Sequence, residues 1–265
     1  MQVNNGLGWT FDTVADTYDK FRPGYPAELY RAIFDYLPLD DSSRAVEVGI
    51  GAGQATLPIL KTGCSVLAAE LGERFSALCR EKFAAYPRFS VQTGKFEEMI
   101  FPDNSYDLVY AASCFHWIPE EIGYRKVFSM LKSGCAFARF ANHPFRDINR
   151  PDLTAAIDEL YRKYYDAYHG RVSSAPKEYT ADDAQARAEL ALQYGFTDVK
   201  SFLFRRVRAF TADEYVSLLS TYSDHIAMDD AHRIPFFDGV RKAIESHGGV
   251  MELHDTIDLQ LARKP

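Results

Sequence analysis

The sequence predicts an α/β fold in which a mainly parallel sheet carries helices on both faces. Three observations lead there. Short apolar, β-branched runs alternate with amphipathic stretches between residues 26 and 142, the rhythm of successive strand-helix-strand units. An apolar strand, Val46-Glu47-Val48, passes straight into three alternate glycines, Gly49, Gly51 and Gly53, which lets the chain turn sharply into a helix while its backbone stays bare. After Asn142 the rhythm gives way to helical stretches, and apolar alternation returns only near the end.

Each element has its own signal. From Pro26 to Leu37, Leu29, Ile33, Phe34 and Leu37 fall on one face behind a proline in the first turn, an amphipathic helix. Strands are expected at 44–48, 65–70, 89–93, 107–112 and 135–141, with helices near 53–61, 73–85 and 119–131. Residues 143–196 read as an insertion of two polar helices, near 152–168 and 181–194, joined by Ser173-Ser174-Ala175-Pro176. Strand character resumes over 198–208, and Thr211-Ala212-Asp213-Glu214 has the reciprocal spacing that caps a helix. Helix then continues to about His247. Gly248-Gly249 ends it, and Leu253, Ile257, Leu259 and Leu261 give one buried face to a last strand. No repeat or low-complexity tract interrupts this order.

Composition narrows the function. A chain of 265 residues, 47% hydrophobic and 25% charged, is long enough for one large core with insertions. A net charge of −7 argues against a broad electrostatic grip on nucleic acid. Cys64, Cys79, Cys114 and Cys135 have no paired-ligand spacing and form no disulfide framework, so they are expected as reduced thiols and no metal site is expected. Met1 to Thr10 lacks a basic flank followed by an apolar run, and no stretch of 18 apolar residues occurs. A soluble, cytoplasmic protein with no membrane partner is expected.

The glycine turn indicates a nucleoside. Glu70 ends the next apolar run, Val66-Leu67-Ala68-Ala69, 21 residues beyond Gly49, where an acid receives the hydroxyls of a ribose. Glu47, just before the first glycine, would repel a pyrophosphate and favour a cation. S-adenosyl-L-methionine carries a sulfonium and an ammonium but no phosphate. Gln54 stands where a dinucleotide fingerprint requires glycine or alanine.

With its acid, one residue, then three alternate glycines, the chain resembles the class I S-adenosylmethionine-dependent methyltransferases over roughly residues 15 to 142. The resemblance implies a Rossmann-like sheet of seven strands, five parallel and two antiparallel additions, in a single domain over 1–265. The segment 1–25 would cover the cofactor and 26–142 would bind it. Helical insertions 143–196 and 209–250 would form a substrate lid, and strands 197–208 and 251–263 would close the sheet.

The same resemblance assigns residues. Glu47, Gly49, Gly51, Gly53, Gln54, Glu70 and Leu71 would hold the cofactor. Tyr18 and Arg22, in the run Arg22-Pro23-Gly24-Tyr25-Pro26, would close over it. Lys95, Phe96 and Glu97 occupy the loop that reads adenine, although Lys95 replaces the family's acid and cannot accept a bond from the adenine amino group. Ser113, Phe115, His116 and Trp117 end the fourth strand, where ligands of open α/β sheets sit, and Arg139 and His143 follow the fifth. Asn142 and Arg146 are expected near the pocket mouth. The tyrosine stripe 161, 164, 165 and 168 reads as helix packing, and Arg205, Arg206 and Arg208 as a solvated strand face.

His116 is the candidate catalytic residue: it would accept a proton from a hydroxyl or amine acceptor, or orient a carboxylate that is already ionised. The His-Trp pair and the Arg-Pro-Gly-Tyr-Pro run look most like small-molecule enzymes, including the trans-aconitate type that esterifies carboxylates. A small-molecule acceptor methylated by in-line displacement is therefore expected. Two rival readings share the glycine turn, a nicotinamide-dependent oxidoreductase and a non-catalytic cofactor-binding module.

Overall fold

The computed structural model describes residues 15–146, 149–172 and 177–265; the opening residues and the Ser173–Pro176 connector lie outside the described residues. Its helices are α1 (Ala15–Phe21), α2 (Ala27–Tyr36), α3 (Thr56–Leu60), α4 (Glu73–Lys82), α5 (Glu120–Met130), α6 (Pro151–Leu160), α7 (Ala167–His169), α8 (Ala181–Glu189), α9 (Ala212–Leu219), α10 (Ser223–Ile226) and α11 (Asp230–Ser246). Its strands are β1 (Arg44–Val48), β2 (Ser65–Glu70), β3 (Phe89–Thr93), β4 (Tyr106–Ala112), β5 (Leu131–Arg146), β6 (Thr197–Thr211) and β7 (Val250–Arg263). They form one seven-stranded sheet in the order β3-β2-β1-β4-β5-β7-β6. The first five are parallel, and β7 runs antiparallel between β5 and β6. This is the Rossmann-like arrangement expected, with β1 and β4 adjacent where the winding reverses.

Short strands covered on both faces are easily bounded, and β1 to β4 fall within a residue of expectation. β5 does not. Expected to end at 141, it runs to Arg146, paired with β7 as far as Arg146 opposite Leu253. Pro144 argues against a strand interior because it donates no ladder bond. Here it costs none. The amide of Asn142 points to the Ser113 side, 3.2 Å from Oγ, so residue 144 faces the same way, past the end of β4, whose last pair is Ala112 with Phe140. The insertion therefore starts after Arg146, not at 143.

The core has three parts. On one face of the sheet α2, α3 and α4 pack Leu29, Ile33, Ile59 and Cys79 on Leu108, Tyr110 and Phe140. On the other, α5 packs Tyr124, Val127 and Met130 on Val46, Val109 and Phe137. α2 buries Tyr30 and Tyr36 beside Leu29 and Ile33, while Phe34 and Leu37 pack half-buried against the same cluster; the two hydroxyls find carbonyls, of Ala55 and Asp198. A third cluster, including Ile157, Tyr215, Phe236, Val240 and Leu253, joins α6, α9 and α11 to the end of β7. Both halves of the expected capping box form at α9, with Thr211 accepting from the Glu214 amide and Glu214 from the Thr211 amide. All four cysteines are free. Among the described residues, no helix is long and apolar enough to cross a membrane.

Candidate functional site

One cavity of about 1300 Å³ opens at the carboxyl edge of the parallel strands. Of the residues expected at the site or its mouth, all but Glu47, Gly53 and Arg146 line it. They divide into two ends.

At the β2 end, Glu70 faces the glycine turn. Its two oxygens accept the amides of Gly51 (2.8 Å) and Gly72 (2.9 Å), so the carboxylate is held rigidly against the turn. A Cβ added to Gly51 would project toward Tyr18, 3.6 Å from its ring; without it the backbone lies open as a cradle. Gln54 beside it has a buried Nε2 with no hydrogen-bond partner among the described residues, a donor that a bound carboxylate or hydroxyl would satisfy. Bare backbone, a fixed carboxylate and an orphan donor together fit the ribose and amino-acid arm of S-adenosylmethionine. Leu71 lines the same end. Lys95 stands at the rim, paired with Glu98 at 3.1 Å. The Phe96 ring is buried against Phe101 under the ammonium of Lys126, and Glu97 lines the wall beside it.

Glu47 and Gly53 act from behind. Glu47 is buried, and its Oε2 accepts both Thr56 and Tyr110 hydroxyls at 2.7 Å. Burial raises its pKa to about 7, against the two hydrogen bonds that favour the charged form. It therefore braces α3 against β4 rather than facing a guest, which corrects the expectation of a carboxylate exposed to the ligand. Gly53, at φ +78°, packs against Phe83, 2.6 Å from where a Cβ would stand.

The covering residues meet above the cavity. Arg22 donates from Nε and Nη2 to Thr221 Oγ1 and carbonyl, each at 2.9 Å, with its guanidinium 4.1 Å from the Tyr222 ring and 4.9 Å from the Tyr18 ring. Asp19 and Glu28 are paired instead with Lys82 and Arg31. The segment before α2 is thus tied to the turn after α9.

At the other end, Ser113 leaves β4 with φ +56°, a conformation uncommon for a residue with a side chain. Its hydroxyl bonds Tyr25 (2.9 Å) and the Asn142 amide. Phe115 is buried, and the Arg139 guanidinium lies 5.0 Å from its ring. Arg139 donates Nη1 to Tyr124 at 3.1 Å, while its buried Nε has no acceptor. His116, next to Trp117, is exposed on the cavity wall. Desolvation within that cavity, then Arg187, Arg139 and His143, lowers its pKa to about 4. His143 stacks on Tyr179 at 3.8 Å and bonds the buried Asp258 at 3.0 Å, which also pairs with Arg187.

Tyr25, Tyr179 and Arg187 line the cavity without having been anticipated. Nor were the two buried carboxylates of β7. Asp258 serves His143 and Arg187; Asp255 takes Arg206, Arg208 and the Asn142 amide group. Arg206 and Arg208 are therefore not a solvated face, and only Arg205 remains exposed, against Glu178. Arg146 turns from the cavity to pair with Asp158. Tyr161 and Tyr165 pack on His225, and Tyr161 also on Phe236, as helix packing predicts.

Comparison with known proteins agrees with this geometry. The family described as a methyltransferase domain matches residues 46–139. An uncharacterized methyltransferase of Schizosaccharomyces pombe is 25% identical over 218 residues, covering 82% of this chain and 80% of the relative. Among solved structures, a putative type II methyltransferase from Anaeromyxobacter dehalogenans superposes with a TM-score of 0.65 at 20% identity, covering 92% of this chain and 98% of that one. Phosphoethanolamine N-methyltransferase 2 of Haemonchus contortus, solved with phosphomonomethylethanolamine and S-adenosylhomocysteine, superposes at 0.56 and 15% identity over 96% of this chain and 57% of that one.

Proposed function

The chain belongs to the class I S-adenosylmethionine-dependent methyltransferases, and we propose that it methylates a small-molecule acceptor inside the cavity by in-line displacement. The observation that carries this reading is the continuity of that space, about 1300 Å³, from the glycine turn and Glu70 to Phe115, His116 and Arg139. It has room for an adenosyl cofactor and a small acceptor together. S-adenosylmethionine supplies an already activated electrophilic methyl group.

The chain's own residues then have modest tasks. Glu70 takes the ribose hydroxyls, and the Gly49–Gln54 backbone carries the amino-acid arm. Phe96 and Glu97 flank the base. Tyr18, Arg22 and Tyr222 cover the site, and helices α6 to α8 and α9 to α11 form the lid that excludes water. His116 is a poor general base, because a group whose conjugate acid has a pKa of about 4 takes little proton from a hydroxyl or amine at neutral pH. It acts instead as a neutral hydrogen-bonding group that orients the acceptor.

Calorimetric titration with S-adenosylhomocysteine and with NAD, followed by an acceptor screen that detects S-adenosylhomocysteine release, tests the reading. Binding of the first and turnover on a small molecule are expected. NAD binding without S-adenosylhomocysteine binding would overturn it, and so would turnover confined to peptides or RNA.

A further inference from the structure

We infer that Arg139 is the anchor for an oxyanion, a carboxylate in the first instance, carried by the acceptor at a position other than the atom that is methylated. This rests on the methyltransferase reading above and names the acceptor's chemistry within it.

Arg139 is 8% exposed and lines the cavity. A buried guanidinium ordinarily meets a carboxylate, because removing its charge from water is costly unless a partner compensates. Arg139 has none among the described residues. Its hydrogen bond goes to a neutral phenol, Tyr124, and its buried Nε is left without an acceptor. The carboxylates nearby are engaged elsewhere. Asp258 holds His143 and Arg187, Asp183 closes the cap of α8 with Thr180, and Glu120 accepts from Tyr194. What compensates Arg139 is the Phe115 ring, 5.0 Å from the guanidinium, and the charge of Asp258 acting without a hydrogen bond, weak substitutes for a contact ion pair.

The unfilled valence has a shape. With Nη1 on Tyr124, Nε and Nη2 hold no acceptor among the described residues, and that edge of the fork matches a planar pair of oxygens. His116, neutral at physiological pH, adds a polar group beside it without adding a second charge.

Anchoring and methylation are separable by chemistry. A carboxylate gripped on both oxygens by a guanidinium has its in-plane lone pairs occupied and its charge drained, and is therefore a poor nucleophile. The methylated atom must lie elsewhere on the acceptor. Topology agrees: Arg139 is on β5 and Glu70 on β2, three strand spacings apart, or roughly 14 Å across the sheet. The oxyanion is thus fixed at the end of the cavity remote from the ribose site, with the rest of the acceptor reaching back toward the cofactor.

The test uses the full chain saturated with S-adenosylhomocysteine and a library of small carboxylates, each paired with its primary amide, with binding read by calorimetry and ligand-observed NMR. At least one carboxylate, benzoate being the first probe given the aromatic walls, is expected to bind about tenfold to a hundredfold more tightly than its amide. Arg139→Met should abolish that preference while leaving S-adenosylhomocysteine affinity within about twofold, and Arg139→Lys should restore only part of it. If no carboxylate is preferred over its amide, or if the preference survives in Arg139→Met, the inference is overturned. Failure of S-adenosylhomocysteine itself to bind would instead remove the methyltransferase reading. A preference for inorganic phosphate over every carboxylate would keep an anion site but overturn its assignment to a carboxylate.

Discussion

Glu47 gives a prediction that can be worked through in full. Its side chain is buried, with one oxygen accepting two hydroxyls and Oε1 accepting nothing. Burial raises its pKa from 4.5 to about 7. Between those two values the folded chain keeps a proton that the unfolded chain has released, so this group's contribution to stability falls as pH rises through the window. Integrated from pH 5 to 8.5, the loss is about 2.5 kcal/mol, since each pKa unit is worth 1.36 kcal/mol. Glu47→Gln removes the titration but keeps one oxygen for Thr56 and Tyr110. Urea unfolding of both proteins at pH 5 and at pH 8.5 isolates the group, because every other ionisation is common to the two. The stability difference should move in favour of the glutamine variant by about 2.5 kcal/mol over that range. Parallel pH dependences would refute the reasoning and return Glu47 to the role of an ordinary ionised carboxylate.

Other outcomes follow from the same geometry. Glu70→Gln leaves one of the Gly51 and Gly72 amides facing an NH₂ group and removes the charge, so S-adenosylhomocysteine affinity should fall by about 1.5–3 kcal/mol by calorimetry; unchanged affinity would place the ribose elsewhere. Gly53→Ala forces a side chain onto φ +78° and into the Phe83 ring, and should cost about 2–4 kcal/mol in urea unfolding; a loss below about 0.5 kcal/mol would contradict the tight packing. His116 should remain neutral between pH 5.5 and 8 in an NMR titration, and a midpoint near the ordinary 6.5 would restore it as a general base. Thr221→Val removes the Oγ1 acceptor of Arg22 and should loosen the cover, read as faster proteolysis near residue 22 that added cofactor suppresses only in part; an unchanged digestion rate would deny the latch.

The parallel core was legible because its signals are local. Short apolar runs, a glycine turn and one acid at a helix-plus-strand distance need no knowledge of partners. Glu47 was misjudged for a reason visible in strand geometry. Side chains leave a strand perpendicular to the sheet and alternate in direction, so a residue between Val46 and Val48 points into the opposite helical layer, where it meets Tyr110, its neighbour in register. The ligand sits beyond the strand's end instead. The acceptor end was less legible because β7 builds it. Asp255 and Asp258 lie on opposite faces of the last strand, as their spacing of three requires, yet both are buried, at 1% and 0% exposure. Their partners lie on β5, α8 and β6, far back along the chain, and only the pairing of β7 between β5 and β6 brings them together.

That late strand also decides which charges remain unpaired. Asp255 takes Arg206 and Arg208, and Asp258 takes His143 and Arg187, which leaves Arg139 with no carboxylate in contact among the described residues. Glu70 is a carboxylate in the same cavity, and in contact the two would attract by about 4 kcal/mol at an effective dielectric of 20. Three strands apart, at roughly 14 Å, the attraction drops to about 1 kcal/mol. Neither group neutralises the other, so the sheet keeps a carboxylate on one side of the β1–β4 junction and a guanidinium on the other. A guest that is cationic near Glu70 and a partner that is anionic near Arg139 would each find its complement, and exchanging their places would set like charges together at both ends.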